Sequence, residues 1–281
     1  MTTHERLVVL DDRLEQVSGF PLQADWPGLH AVTPDGHWAA LSLPDRVSLI
    51  SADGTRAWEV RHQPWPEGGS GSAWITPDGL VWAVVPGPDG LGSPDRWWVL
   101  EPTHGTLLAD LCLDGSSSGS EPIGHAGGVV LSLSGRVDDG ARIYHGRFRY
   151  GELLLEPMPG SDRVLADVHR HGDRYLTTDR HHEGVAVHAL ADGAVLAARR
   201  AEEIFGADDF VDFRGAFVTD DRVVVRSVLA QEHAVLDVGT LNLLEAIEYP
   251  QDAARDAVLP TGDGRWVTTD WLDGRLQLWT V

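Results

Sequence analysis

The chain has 281 residues, 42% of them apolar, enough for the packed core of one large domain or two small ones. Its 22 basic residues against 43 acidic ones leave a formal charge of −21, a field that repels nucleic acid and anionic membranes and favours cationic partners or ligands. A single cysteine, Cys112, excludes an intrachain disulfide and fits a reducing compartment; in the run Leu111-Cys112-Leu113 it reads as a small buried hydrophobe.

The N-terminus, Met1-Thr2-Thr3-His4-Glu5-Arg6, lacks the basic start and long apolar stretch of a secretion signal, and no run reaches ~18 consecutive apolar residues. The expectation is a soluble, cytoplasmic protein with no membrane span. Runs at 7–10 and 14–17 read as a short hairpin. The first full unit follows: Ala31-Val32 ends an inner strand, Thr33-Pro34-Asp35-Gly36 turns it, and residues 38–43 make a second strand. Pro44-Asp45 turns again, 47–50 make a third strand, Asp53-Gly54 turns, and 58–60 make a fourth. Proline presets φ at the second turn position and glycine relieves the exit at the fourth, as a type I turn requires.

Later units repeat this grammar. Strands are expected at 74–75, 81–85, 97–100 and 107–111, then at 129–133, 142–144 and 153–155, then at 175–178, 185–190 and 195–198. A fifth unit has 216–218, 223–229, 234–238 and 243–247; a sixth has 257–259, 266–269 and 276–279, one strand short. Helix is expected only as single turns at 201–205 and 252–257. The first turn of each unit is Thr33-Pro34-Asp35-Gly36, Thr76-Pro77-Asp78-Gly79, Gly127-Gly128, His171-Gly172-Asp173, Thr219-Asp220-Asp221 or Thr261-Gly262-Asp263-Gly264. A repeat of roughly 40–50 residues built from four short antiparallel strands is the mark of a propeller.

The expected fold is therefore all-β: a six-bladed β-propeller of four-stranded antiparallel blades, one domain over residues 1–281. Residues 1–20 would supply the strand or strands that close the last blade. The blades would fall at about 21–62, 63–114, 115–159, 160–206, 207–250 and 251–281. On its Thr-Pro-Asp-Gly turns and strand spacing, the chain resembles the WD-repeat-like and related bacterial β-propeller families across nearly its whole length. The Gly-His and Trp-Asp pairs of true WD repeats are missing at the expected places: Gly124-His125 is isolated and Asp25-Trp26 is reversed. Such a fold hosts scaffolds, lactonases, lyases and cyclases, so the resemblance implies architecture and no single activity.

Propeller geometry puts the turns between strands one and two, and three and four, on one face. The opposite face collects the long segments 61–72, 86–96, 114–125, 157–167, 199–214 and 249–256, and a site is expected there, around the channel mouth. His181, His182, His233 and Asp270 are the candidate catalytic groups. Asp179 and Glu183 are candidate ligand-binding groups, with Trp26, Trp65 and Trp271 as an aromatic rim. Thr177-Thr178-Asp179 matches Thr268-Thr269-Asp270, so two aspartates end the same strand in different blades. Imidazoles and carboxylates converging in this way can hold a divalent metal or act as acid and base, and they also make an ordinary polar rim. His169 and His171 fall on the other face and read as solvated turn residues. Trp38, Trp58, Trp82, Trp97, Trp98, Trp266, Trp279 and Tyr175 read as core between blades.

Two functions fit. The first is a cytoplasmic binding module presenting its rim to a protein partner or a small ligand, cationic or aromatic ligands being favoured. The alternative is an enzyme acting on a small molecule by lactone hydrolysis, elimination or cyclisation, metal-assisted or by His/Asp acid–base chemistry. Dispersed basic residues argue against nucleic acid.

Overall fold

Four of the turn glycines sit where an L side chain would be strained. In the computed structural model Gly36, Gly79, Gly172 and Gly264 take φ of +70°, +86°, +66° and +89°. The structure describes every residue except 1, 4–5, 12, 22–29, 34, 67–70, 90–92, 116–119, 126, 135–140, 160–161, 251–257, 262, 270–275 and 281. Two compact units result, Met1–Pro157 and Met158–Val281.

The first unit opens with β1 (Thr2–Thr3), β2 (Arg6–Leu10) and β3 (Gln16–Pro21), a three-stranded sheet in that order. A four-stranded sheet follows, β4 (Ala31–Val32), β5 (Trp38–Ser42), β6 (Arg46–Ser51) and β7 (Arg56–Arg61). The next holds β8 (Ser72–Ile75), β9 (Val81–Val85), β10 (Arg96–Leu100) and β11 (Leu107–Cys112). The last holds β12 (Ser120–His125), β13 (Gly128–Ser134), β14 (Ala141–Arg149) and β15 (Glu152–Pro157).

The second unit repeats the plan with β16 (Arg163–Val168), β17 (Arg174–Asp179), β18 (Gly184–Ala189) and β19 (Val195–Arg200). A short helix, α1 (Ala201–Phe205), leads to β20 (Val211–Phe217), β21 (Arg222–Ser227), β22 (His233–Asp237) and β23 (Leu243–Ile247). A three-stranded sheet of β24 (Val258–Pro260), β25 (Arg265–Thr269) and β26 (Leu276–Thr280) completes it. All pairings are antiparallel between sequence neighbours. The six sheets from β4 to β26 are the repeats read from the turns, and α1 coincides with the helical turn expected at 201–205. No described helix is long and apolar enough to cross a membrane.

Burial explains the strand composition. The second and third strands are covered on both sheet faces, so Val81–Val85 and, within Arg222–Ser227, the three valines 223–225 are uninterrupted apolar runs. The fourth strands, such as β11 and β19, face solvent and alternate. Neighbouring sheets share side chains: Ala40, Leu49 and Trp58 pack with Ala73, Val81 and Leu100, and Trp82, Val84 and Trp97 pack with Val129, Leu131 and Tyr144. In the second unit Leu176, Val185 and Val187 meet Val223, Val225 and Leu236, and Ala216, Val224 and Val235 meet Val258 and Trp266. Trp58 also donates from Nε1 to the Pro102 carbonyl at 2.7 Å, tying β7 to the next sheet's outer turn.

The N-terminal strands pair with one another, and Leu7 and Phe20 bury on Ala39, Leu41 and Ile50. Other expectations need correction. Segments 114–125 and 157–167 are not wholly loop: β12 and β16 occupy their second halves, because an innermost strand needs only moderate apolarity. Cys112 is exposed, since it lies at the end of a solvent-facing fourth strand and its neighbour Leu113 takes the buried place. Trp38 is partly exposed at the start of β5, whereas Trp58, Trp82, Trp97, Trp98, Trp266 and Tyr175 are buried as expected. The helical turn expected at 252–257 lies outside the described residues.

One carboxylate straps two sheets of the second unit. Asp167, beside a register shift in β16, accepts the Val168 N–H on Oδ1 and the Phe217 N–H on Oδ2, both at 2.8 Å. An amide can accept only one of these, so Asp167→Asn is expected to destabilise the fold by about 1–3 kcal/mol. A urea midpoint unchanged from wild type would contradict the strap.

Candidate active site

The described geometry is most suggestive at the first-turn end of the second unit. Three hairpins set the local rule. Thr33, Thr219 and Thr261 each donate from Oγ1 to the aspartate two residues on, at 2.5, 2.6 and 2.5 Å. The short side chain folds back over its own turn, as Ser and Thr do in such motifs.

In the β16–β17 hairpin this place is taken by His169. Its N–H donates to the Arg174 carbonyl at 3.0 Å and its carbonyl accepts the Gly172 N–H at 2.7 Å, the same ladder that Thr33 makes with Trp38 and Gly36. An imidazole reaches further than a hydroxyl. Nδ1 therefore donates to Asp173 Oδ1, four residues on, at 2.7 Å. The ring is 1% exposed, packed edge-on to Phe217 at 5.2 Å and to His171 at 5.1 Å. The expectation of a solvated turn residue fails for His169 because the neighbouring β20 covers it; His171 is exposed as expected.

The other ring nitrogen, Nε2, makes no hydrogen bond among the described residues. Its closest carboxylate oxygen, Asp220 Oδ1, is 3.4 Å away and is also held by Arg170 at 2.8 Å. His169 lines a cavity of about 210 Å³ where the ends of β16, β20 and β24 meet. Val168, Phe217, Val218 and Pro260 supply apolar wall; Asp167, Arg170, Thr219 and Thr261 supply polar groups. Partial burial works to raise Asp173, but hydrogen bonds from Arg174 and His169 outweigh it and hold the carboxyl below its ordinary range. For Asp220 the same opposition is won by Arg170, with help from His171 and His169. A fixed, carboxylate-oriented imidazole at a small mixed cavity can accept a proton or hydrogen bond from a ligand.

The residues singled out on the other face are placed as follows. Asp179, His181, His182 and Glu183 come together in the β17–β18 turn. Asp179 Oδ1 accepts the His181 N–H at 2.8 Å. His182 donates from Nδ1 to the Val211 carbonyl at 2.8 Å and stacks on Phe213 at 4.0 Å, so its ring fastens this turn to β20. Glu183 is exposed, and its carbonyl accepts the Ala201 N–H at the start of α1. His233 is fully buried, edge-on to Tyr249 at 5.2 Å. Trp65 is buried among Trp82, Trp97 and Leu113 in the first unit. Trp26, Asp270 and Trp271 lie outside the described residues. No group of three or more His, Cys, Asp or Glu able to hold a metal occurs among the described residues. The matched threonines do share a role: Thr177 Oγ1 bonds His188 Nε2 at 2.9 Å, and Thr268 Oγ1 accepts from Trp279 Nε1 at 2.7 Å, each inside its sheet.

Sequence reasoning missed the cavity because it ranked faces by loop length. The available signal was the histidine standing where sister turns carry threonine. A second departure occurs in the first unit, at the end of β12. His125 Nδ1 accepts the Gly127 N–H at 3.1 Å, so its proton is on Nε2 and is donated to His145 Nε2, also at 3.1 Å. His145 must then carry its proton on Nδ1, where no partner is found among the described residues.

The sequence matches no protein-family model and no curated protein. Solved structures do match. Kuenenia stuttgartiensis hydrazine synthase is 12% identical, with 99% of this chain and 90% of that chain covered at a TM-score of 0.64. The dihydro-heme d1 dehydrogenase NirN in complex with DHE is 17% identical, with 98% and 58% covered at 0.62; this chain thus spans little more than half of that one. BamB from Moraxella catarrhalis is 11% identical, with 95% and 89% covered at 0.52. At such identities the likeness defines the fold alone. The chain has an all-β propeller fold, with the sheets from β4 to β26 as six blades.

Proposed function

We propose that this protein is a propeller binding module whose small-ligand site is the His169 cavity. One observation carries the proposal. A histidine nearly excluded from solvent, oriented through Nδ1 by Asp173, turns an unpaired Nε2 to a cavity whose walls come from three consecutive blades. Polar groups fixed on rigid strand ends, with apolar walls around them, are the composition of a recognition site. A protein partner on the same rim is compatible with this reading, since Arg170, His171 and Asp220 stand exposed beside the cavity.

The Asp173–His169 arrangement also supports a second reading, acid–base catalysis on a small molecule. A carboxylate that fixes an imidazole's tautomer leaves the far nitrogen as the working base.

Pro260 offers a direct test, because its ring lines the cavity from an exposed position of β24. Pro260→Phe should fill the space and leave the melting temperature within a few degrees of wild type. Fragments of about 8–15 heavy atoms that bind the wild-type chain in ligand-observed NMR should be lost in this variant. Fragments retained by the variant would place binding elsewhere.

A further inference from the structure

Resting on the site proposed above, we infer that the cavity is built for a small primary amine with an apolar body. Three observations set the chemistry. At about 210 Å³ the space exceeds the ~150 Å³ known to hold benzene, so a ring and a short head group fit. Phe217 and Pro260 provide the wall for that ring.

The head group is set by His169. With Nδ1–H committed to Asp173, the imidazole form of the ring offers an acceptor at Nε2, which suits a ligand carrying N–H or O–H. Asp220 Oδ1 stands 3.4 Å from that nitrogen. A single ammonium nitrogen can therefore lie at hydrogen-bond distance from both atoms, one N–H to each, with a third left over for Thr219 or Thr261 Oγ1. Those hydroxyls already give their protons to Asp221 and Asp263, so towards a ligand they too are acceptors.

Charge selects the cation over an alcohol. Asp167, Asp173 and Asp220 outnumber Arg170 and Arg174 around the cavity, and the whole chain carries −21. A carboxylate in the same place would face Nε2 as an acceptor and like-charge repulsion from Asp220, and Arg170, the cation in the cavity wall, is already paired with that Asp220 carboxylate.

Isothermal titration of the full chain with benzylamine, benzyl alcohol and benzoate tests the inference. Benzylamine should bind about ten-fold or more tighter than benzyl alcohol, and benzoate should not bind. His169→Thr restores the residue that sister turns carry, so the hairpin should still form; it should weaken benzylamine about ten-fold, and Asp220→Asn should do so with no change in packing. Benzyl alcohol or benzoate binding as tightly as benzylamine would overturn the amine assignment and leave the cavity as a site. Failure of all three probes at millimolar concentration would overturn both the amine assignment and the site itself.

Discussion

Gly124→Ala is expected to destabilise the protein by about 3 kcal/mol, near the upper end for added volume in a packed core. A Cβ at this position of β12 would lie 1.8 Å from Trp74 Nε1 and 2.5 Å from Cε2. Neither partner can give way cheaply. Trp74 packs against the side chains of two sheets at once, and β12 is fixed to β13 along its whole length. Gly146 on β14 repeats the device: its Cβ would meet Trp97 and Trp82 at 2.6 and 2.9 Å. These glycines are therefore the sockets that let large indoles fill the space between blades two and three. Gly115→Ala serves as the control, because nothing lies within 4 Å of the added methyl, and it should stay within about 0.5 kcal/mol of wild type. Equal urea midpoints for the Gly124 and Gly115 variants would contradict the packing described for this interface.

Acid should weaken the fold well before its carboxylates titrate. Burial holds His30 and His145 at about 4, against an ordinary value of 6.5, and lowers His62, His125 and His188 in the same direction. Between those limits the unfolded chain binds more protons than the folded one, so stability falls as pH falls from 6.5 and this loss is complete near 4. For His145, 5% exposed, the shift corresponds to a loss of up to about 3 kcal/mol. Added protons also break the pair itself, since the Nε2···Nε2 bond needs one ring to accept. His145→Gln keeps an acceptor for His125 and removes the titrating group. Its stability should vary with pH less steeply than wild type between 7 and 4.5; parallel curves would show that His145 is not held neutral by burial.

How much of this was written in the chain can be said position by position. The fold was, because its signals are local: Gly36 and Gly264 mark turns that favour a left-handed residue, and Val81–Val85, short, rich in valine and preceded by a turn, reads as a strand covered on both faces. The innermost strands β12 and β16 were harder. Ser120–His125 and Arg163–Val168 are short, mixed in polarity, and defined by pairing with β13 and β17 more than by their own composition. The cavity was harder still, because it depends on where three strand ends meet, and Phe217 and Pro260 carry no mark of that in sequence. His169 did carry one, as the break in a threonine pattern. The β17–β18 turn carries the more conspicuous pair, His181 and His182, yet His182 is used to fasten that turn to β20.

The most direct test is the long-range ¹H–¹⁵N spectrum of the histidine side chains, recorded with and without saturating benzylamine. The His169 Nε2 resonance should move while its Nδ1–H signature persists, and the His181 and His182 resonances should stay in place. An unmoved His169, or a shift confined to His181 and His182, would contradict a ligand site at the first-turn end of the second unit.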